Sequence, residues 1–390
     1  MPKPSKSLYT ALGAAAIAVA AVYPAAAELP VDPIPNVLSL DPDYPDTWIY
    51  AHDTNFFSLL DGQVVLLDVA AENRHYKGAI PAGQFASFLE STRRPELYVA
   101  ETFYSRRTRG ERTDTITIHD KATLDVIDEI VLPGGKRGQM VTHKHTLRFL
   151  DAEERHLAVY NFTPAESVTI VDVAARKVVS EIEIPGCAFI YPTGPMGFSS
   201  LCANGAMLTV QLDGSGAEAS RTRIDPFFDI DADPLFAKAV HIGSVAYFPS
   251  FGGKLQPIDL AGPQPVIGEP WELVSEQEAA ANYRPGGWQI ATGRDDGHLY
   301  VLMHKDGKEG SHKNGGDEVW VFDVAKRQRV QIIKLAKWGV SIEVTGSATP
   351  YLAVLNADMD LDVYDANAGK LLRTIGNRFA ETAFMLHAVQ

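Results

Sequence analysis

The sequence predicts an all-β fold, a seven-bladed β-propeller built of four-stranded antiparallel blades. Three observations predict it: one strand–Asp–turn–strand pattern occurs seven times, successive copies average about 50 residues apart, and helical periodicity is weak along nearly the whole chain. With 390 residues, 46% of them apolar, the chain can bury a core larger than that of one ordinary domain.

The copies follow one another in order. They are Val64-Val65-Leu66-Leu67-Asp68, Ile116-Thr117-Ile118-His119-Asp120, Val168-Thr169-Ile170-Val171-Asp172 and the degenerate Leu208-Thr209-Val210-Gln211-Leu212-Asp213. Leu255-Gln256-Pro257-Ile258-Asp259, Val319-Trp320-Val321-Phe322-Asp323 and Leu361-Asp362-Val363-Tyr364-Asp365 complete the set. Each Asp is placed to open a turn by accepting backbone N–H groups just ahead of it, and residues such as Ala368-Gly369-Lys370 close the turn. A β-branched strand such as Val330-Gln331-Ile332-Ile333 follows, so each copy is the outer hairpin of a blade. Inner strands are expected between the hairpins, at residues 97–101, 156–160 and 298–302 among others. An N-terminal strand at 48–51 is expected to close the last blade, because an open ring leaves an unpaired edge. Only residues 275–282 read as helix, and no linker divides residues 28–390, which are expected to form a single domain.

Residues 1–27 differ from the rest. Lys3 and Lys6 precede an apolar run from 11 to 22, and Pro24-Ala25-Ala26-Ala27 precedes Glu28, the pattern of a cleaved export signal. The run falls short of the roughly 20 residues that span a bilayer, so no membrane span is expected in the mature chain; an uncleaved anchor is the alternative. The mature chain is expected to be exported to an oxidising compartment. Net charge is −14, and removing Lys3 and Lys6 with the leader makes it −16. Such a surface repels phosphate backbones, which argues against nucleic acid, and favours cationic partners. The two cysteines, Cys187 and Cys202, flank a strand–turn–strand pattern and in an oxidising compartment are expected to pair; two free buried thiols are the alternative.

Few motifs carry chemistry. A nucleophile elbow, a phosphate loop, HExxH and a dinucleotide fingerprint are all missing. His143 and His145 would share one face of a strand, and His298, His304 and His312 lie within fifteen residues, but interspersed lysines favour plain loop histidines over a metal site. The run Ser105-Arg106-Arg107-Thr108-Arg109-Gly110-Glu111-Arg112 is a basic island on an acidic chain, either a solvated hairpin or a dock for an acidic partner. Phe56-Phe57 and Trp288 are aromatic residues whose default is packing; of two adjacent phenylalanines, one can face a cavity while the other is buried.

Several segments together resemble one family. They are Arg109-Gly110-Glu111-Arg112-Thr113-Asp114, Tyr283-Arg284-Pro285-Gly286-Gly287-Trp288, the stretch from Met303 through His304-Lys305-Asp306-Gly307 to Lys313, the spacing of Cys187 and Cys202, and Val363-Tyr364-Asp365-Ala366. In order, from about residue 40 onward, they resemble the heavy chain of the tryptophan tryptophylquinone amine dehydrogenases, the methylamine and aromatic amine dehydrogenase family. The resemblance implies a seven-bladed heavy subunit of an α2β2 periplasmic enzyme that converts primary amines to aldehyde and ammonia. It implies that the quinone sits in a small cysteine-rich light chain, that this chain holds no cofactor, metal or catalytic residue of its own, and that electrons pass to a blue copper protein of amicyanin or azurin type. It also implies that a phenylalanine of the heavy chain, Phe56 or else Phe57, lines the substrate channel. The stretch around His304 looks closer to the aromatic amine branch. Two other classes compete: a stand-alone propeller that binds a partner at its axial face, and a metal-dependent propeller enzyme, which needs carboxylates converging on the axis.

Overall fold

The computed structural model describes residues 38–136 and 142–390. The leader expected at 1–27 lies outside them. Residues 39–390 form one compact unit.

All seven repeated aspartates do what their position suggests. Asp68 Oδ1 accepts from the N–H of Ala70 and of Ala71, both at 3.1 Å, and Asp365 Oδ1 from those of Asn367 and Ala368, both at 2.9 Å. Asp120, Asp172, Asp213, Asp259 and Asp323 each accept from a backbone N–H two to four residues ahead. The side chain thereby satisfies turn amides that no ladder reaches.

The strands form antiparallel sheets. Five are of blade width among the described residues, four with four strands and one with five, and a sixth has eight. Ser87–Glu90, Glu96–Arg106, Arg109–Asp120 and Val126–Leu132 make one such blade, and its burial falls from the fully buried Ser87–Glu90 to the largely exposed Val126–Leu132. Apolar clusters pack consecutive sheets against each other, as where Tyr98 and Ile118 meet Leu147 and Val171. Another joins Ile49 and Leu67 to Leu355 and Val363, so the series of sheets returns to its start.

The expectation of seven separate four-stranded blades is overturned by the eight-stranded sheet. Its strand Gln328–Val344 runs 17 residues without a break. The first half pairs with Gly316–Asp323, and after a register shift at Gly339 the second half pairs with Tyr351–Asn356. Between the two halves Leu335-Ala336-Lys337-Trp338 stays extended, and one strand serves two sets of neighbours.

Closure also differs from expectation. Trp48–Asp53 does pair with the end of the chain, but it belongs to the first sheet, where Ala383–Ala388 supplies the innermost strand beside Trp48–Asp53, Gln63–Asp68 and Tyr76–Pro81. The short helix Glu276–Ala280 falls where helix was expected and is held by a capping box: Ser275 Oγ accepts from the N–H of Glu278, while the Ser275 N–H donates to the Glu278 carboxylate.

Candidate functional site: an aromatic run into the axis

Asp53, the last residue of its strand, builds the loop that carries Phe56 and Phe57. Its carboxylate accepts from the N–H groups of Asn55 (2.8 Å), Glu381 (2.7 Å) and Thr382 (2.9 Å), pinning the loop to the opposite end of the chain. The N–H of Phe56 donates to Thr382 Oγ1 at 2.6 Å. The backbone is thus fixed while the rings remain outside: Phe56 is 56% exposed and Phe57 89%. Neither ring is buried, so the default of core packing does not hold for this pair. Phe56 stands edge-on to Phe57 (centroids 5.6 Å) and to Phe384 (6.3 Å), and Phe384 lies 5.1 Å from Trp288.

Trp288 lines an apolar compartment of about 150 Å³, together with Thr142, Lys238, Ala291 and Met385. Its position depends on two glycines. A Cβ on Gly286 would lie 2.5 Å from the Asn314 carbonyl oxygen, and Gly287, at φ +127°, would place one 2.7 Å from that of Val340. Gln289 then ties three segments together: Nε2 donates to the Ile342 carbonyl (2.8 Å), Oε1 accepts from the Leu386 N–H (2.8 Å), and its own N–H donates to Ser341 Oγ (3.2 Å). The Gly-Gly-Trp-Gln segment is therefore a close-packed splice between inner strands that holds the indole against this compartment.

Beside it lies a charged compartment of two adjoining cavities, about 600 and 390 Å³, both lined by Lys144, Arg148, His241 and Glu343. Lys144 Nζ meets Glu343 Oε2 at 2.7 Å. Arg148 has no ion pair among the described residues, its Nε is buried without a hydrogen bond, and burial pushes it down to about 10. Burial likewise holds His143 and His241 down to about 3 and His52 to about 4, so this belt of imidazoles is neutral.

The histidine pair expected on a strand is not on one. His143 precedes the 3-10 turn Lys144–Thr146 and accepts from the His145 N–H at 3.1 Å, with its ring stacked 4.2 Å from Phe189. His298 bonds Asp296, His304 bonds Ser311, and His312 lies beside Phe251, so the structure does not gather them. No group of three or more His, Cys, Asp or Glu is placed to hold a metal among the described residues. Cys187 and Cys202 face each other in register on paired strands and are joined by a disulfide. The basic run forms the tip of the longest hairpin, where Arg106 pairs with Arg109 in register and Arg107 reaches Asp61, in the Phe56 loop, at 3.6 Å. No helix among the described residues is long and apolar enough to cross a membrane.

The model of the methylamine dehydrogenase heavy chain family matches residues 46–385. The chain belongs to that family. Among heavy chains of methylamine dehydrogenase, that of Paracoccus versutus is 30% identical over 71% of this chain and 65% of its own length. The match thus spans slightly less than two thirds of that relative. The heavy chain of Methylophilus methylotrophus is 28% identical over 76% of this chain and 73% of its own. Among solved structures, a protein from Lactobacillus plantarum superposes with a TM-score of 0.59 at 12% identity, covering 88% of this chain and 99% of that one. A putative 6-phosphogluconolactonase from Bacteroides fragilis does so with 0.59 and 12%, covering 90% and 100%. At such identity they share the fold alone. In this heavy-chain family member, sequence reasoning named Phe56, Phe57 and Trp288 but missed Phe384 and Lys238; the run Ala237-Lys238-Ala239-Val240 reads as the start of an ordinary strand.

Proposed function

We propose that this chain is the heavy subunit of a periplasmic amine dehydrogenase that oxidises primary amines to aldehyde and ammonia. A smaller cysteine-rich light chain carries the tryptophan tryptophylquinone, the assembly is α2β2, and electrons leave to a blue copper protein of amicyanin or azurin type. The observation that carries this reading is the family match across residues 46–385. The geometry is compatible with it. Phe56 and Phe57 stand exposed on a loop whose backbone is pinned through Asp53 and Phe56 to residues 381–382, which suits a wall presented to a second subunit rather than a packed core.

The quinone supplies the oxidant when the light chain is bound. This chain supplies position and dryness. The rings of Phe56, Phe57, Phe384 and Trp288 give an apolar amine tail a surface that excludes water. The net charge of −14 draws a cationic amine towards the molecule.

Expression with a light-chain gene should yield a coloured complex that oxidises amines, and Phe56→Ala or Phe57→Ala should shift relative rates among methylamine, longer alkylamines and arylalkylamines while leaving the quinone absorbance intact. A colourless protein that purifies without its light chain would defeat the subunit assignment. Unchanged relative rates in both variants would defeat the wall.

A further inference from the structure

Lys238 is a half-buried cation that the reading above does not use. Its side chain enters the apolar compartment, where Nζ lies 5.3 Å from the Trp288 ring and, among the described residues, donates only to the Gly287 carbonyl, at 3.2 Å. No carboxylate is paired with it among the described residues. The titratable groups facing it are His143, Lys144 and His145 in the same compartment and His312 beside it; none offers a negative charge, and Lys144 is already taken by Glu343. An ammonium there gives up part of its water for one carbonyl and an indole face, with no carboxylate in return, and this favours the neutral amine.

We propose that the Lys238 amine is a carbonyl-reactive group that condenses with a small apolar or aryl aldehyde held against Trp288. The amine lone pair attacks the carbonyl carbon, and the oxygen takes a proton to give a carbinolamine. Nitrogen then loses its proton as water departs, leaving a C=N bond, so one aldehyde and one amine give one imine and one water. No oxidant or further reactant is needed. Burial pushes the Lys238 amine down to about 8, so a sizeable share is neutral and nucleophilic near neutrality. The compartment of about 150 Å³, walled by Trp288, Met385 and Ala291, selects an apolar body over a hydrated one.

The chemistry belongs to this chain alone, so its test is separate from that of the amine dehydrogenase assignment. The purified chain is incubated with benzaldehyde or glycolaldehyde and sodium cyanoborohydride at about pH 7.5, and adducts are located by peptide mass mapping. The neutral fraction at a pKa of about 8 exceeds that of a lysine at its usual ~10.4 by about two orders of magnitude, so benzaldehyde should label Lys238 roughly 100-fold faster than surface lysines. Lys238→Met should remove that adduct and leave surface labelling unchanged. Benzaldehyde should also outpace glycolaldehyde at Lys238, and only there. Labelling of Lys238 no faster than surface lysines would overturn the proposal, as would equal discrimination between the two aldehydes at all sites.

Discussion

Two compartments meet at Lys144, and the two lysines that line them are partnered in opposite ways. In the larger one, Lys144 is matched by Glu343, which also accepts from the Gln289 side chain and from the Ala388 N–H at 3.1 Å. In the smaller one, Lys238 has an indole and one carbonyl. Burial pushes both amines down; at Lys144 the Glu343 carboxylate opposes that push, and at Lys238 no carboxylate among the described residues does. Both cations come from inner positions of the same ring, so the difference lies in the partner and not in the depth.

The largest test of that contrast is Glu343→Leu. It strands Lys144 without its carboxylate and should lower the unfolding free energy by about 3 kcal/mol, read from urea titration, because breaking a buried pair leaves an unpaid charge. A loss under about 1 kcal/mol would mean that solvent in the cavity already serves Lys144, and the contrast with Lys238 would collapse.

Acidification is the next test. Folded His52, His143 and His241 sit at about 4, 3 and 3, whereas the unfolded chain protonates at ~6.5. Below about pH 6.5 the unfolded state binds more protons, so stability falls as pH drops towards 4, by at most about 1.4 kcal/mol per pH unit for each histidine; above 6.5 this contribution is flat. Urea midpoints at pH 7.5 and 5.0 should differ accordingly, and His52→Leu should shrink the gap. Equal midpoints would show that the belt is not held neutral.

The smallest effect expected is on the outside. Phe56→Ala and Phe57→Ala should each change stability by no more than about 0.5 kcal/mol, measured by thermal unfolding, since both rings are exposed. A loss above 1 kcal/mol in either would make it a packing residue.

The repeating parts of the fold were legible in the sequence because they are local. An Asp that caps its own turn needs partners two to four residues away, and alternation marks the strand before it. Cys187 and Cys202 were legible for a similar reason, lying one hairpin apart. Sheet boundaries were not, because whether Leu335-Ala336-Lys337-Trp338 bends or stays extended is decided by neighbours on both sides: Leu335 packs against the cluster of Tyr300 and Ile342, and the Ala336 N–H donates to the Tyr364 hydroxyl at 2.8 Å. The axial compartments were equally hidden. Lys238, Trp288, Met385 and Thr142 lie far apart in sequence, and only closure of the ring brings them together. The histidine belt carried a sequence signal, but alternation assigned His143 and His145 to a strand, where the chain instead makes a helical turn.

The unbroken strand Gln328–Val344 has a consequence for how the ring comes apart. Elsewhere among the described residues no strand ladder runs from one sheet into the next, and a boundary can loosen while each ladder stays whole. Here the ladder itself crosses the boundary, so the stretch from His298 to Ile375 is bound to open as one cooperative unit, with backbone amides exchanging together. The first breach of the ring belongs at one of the other seams.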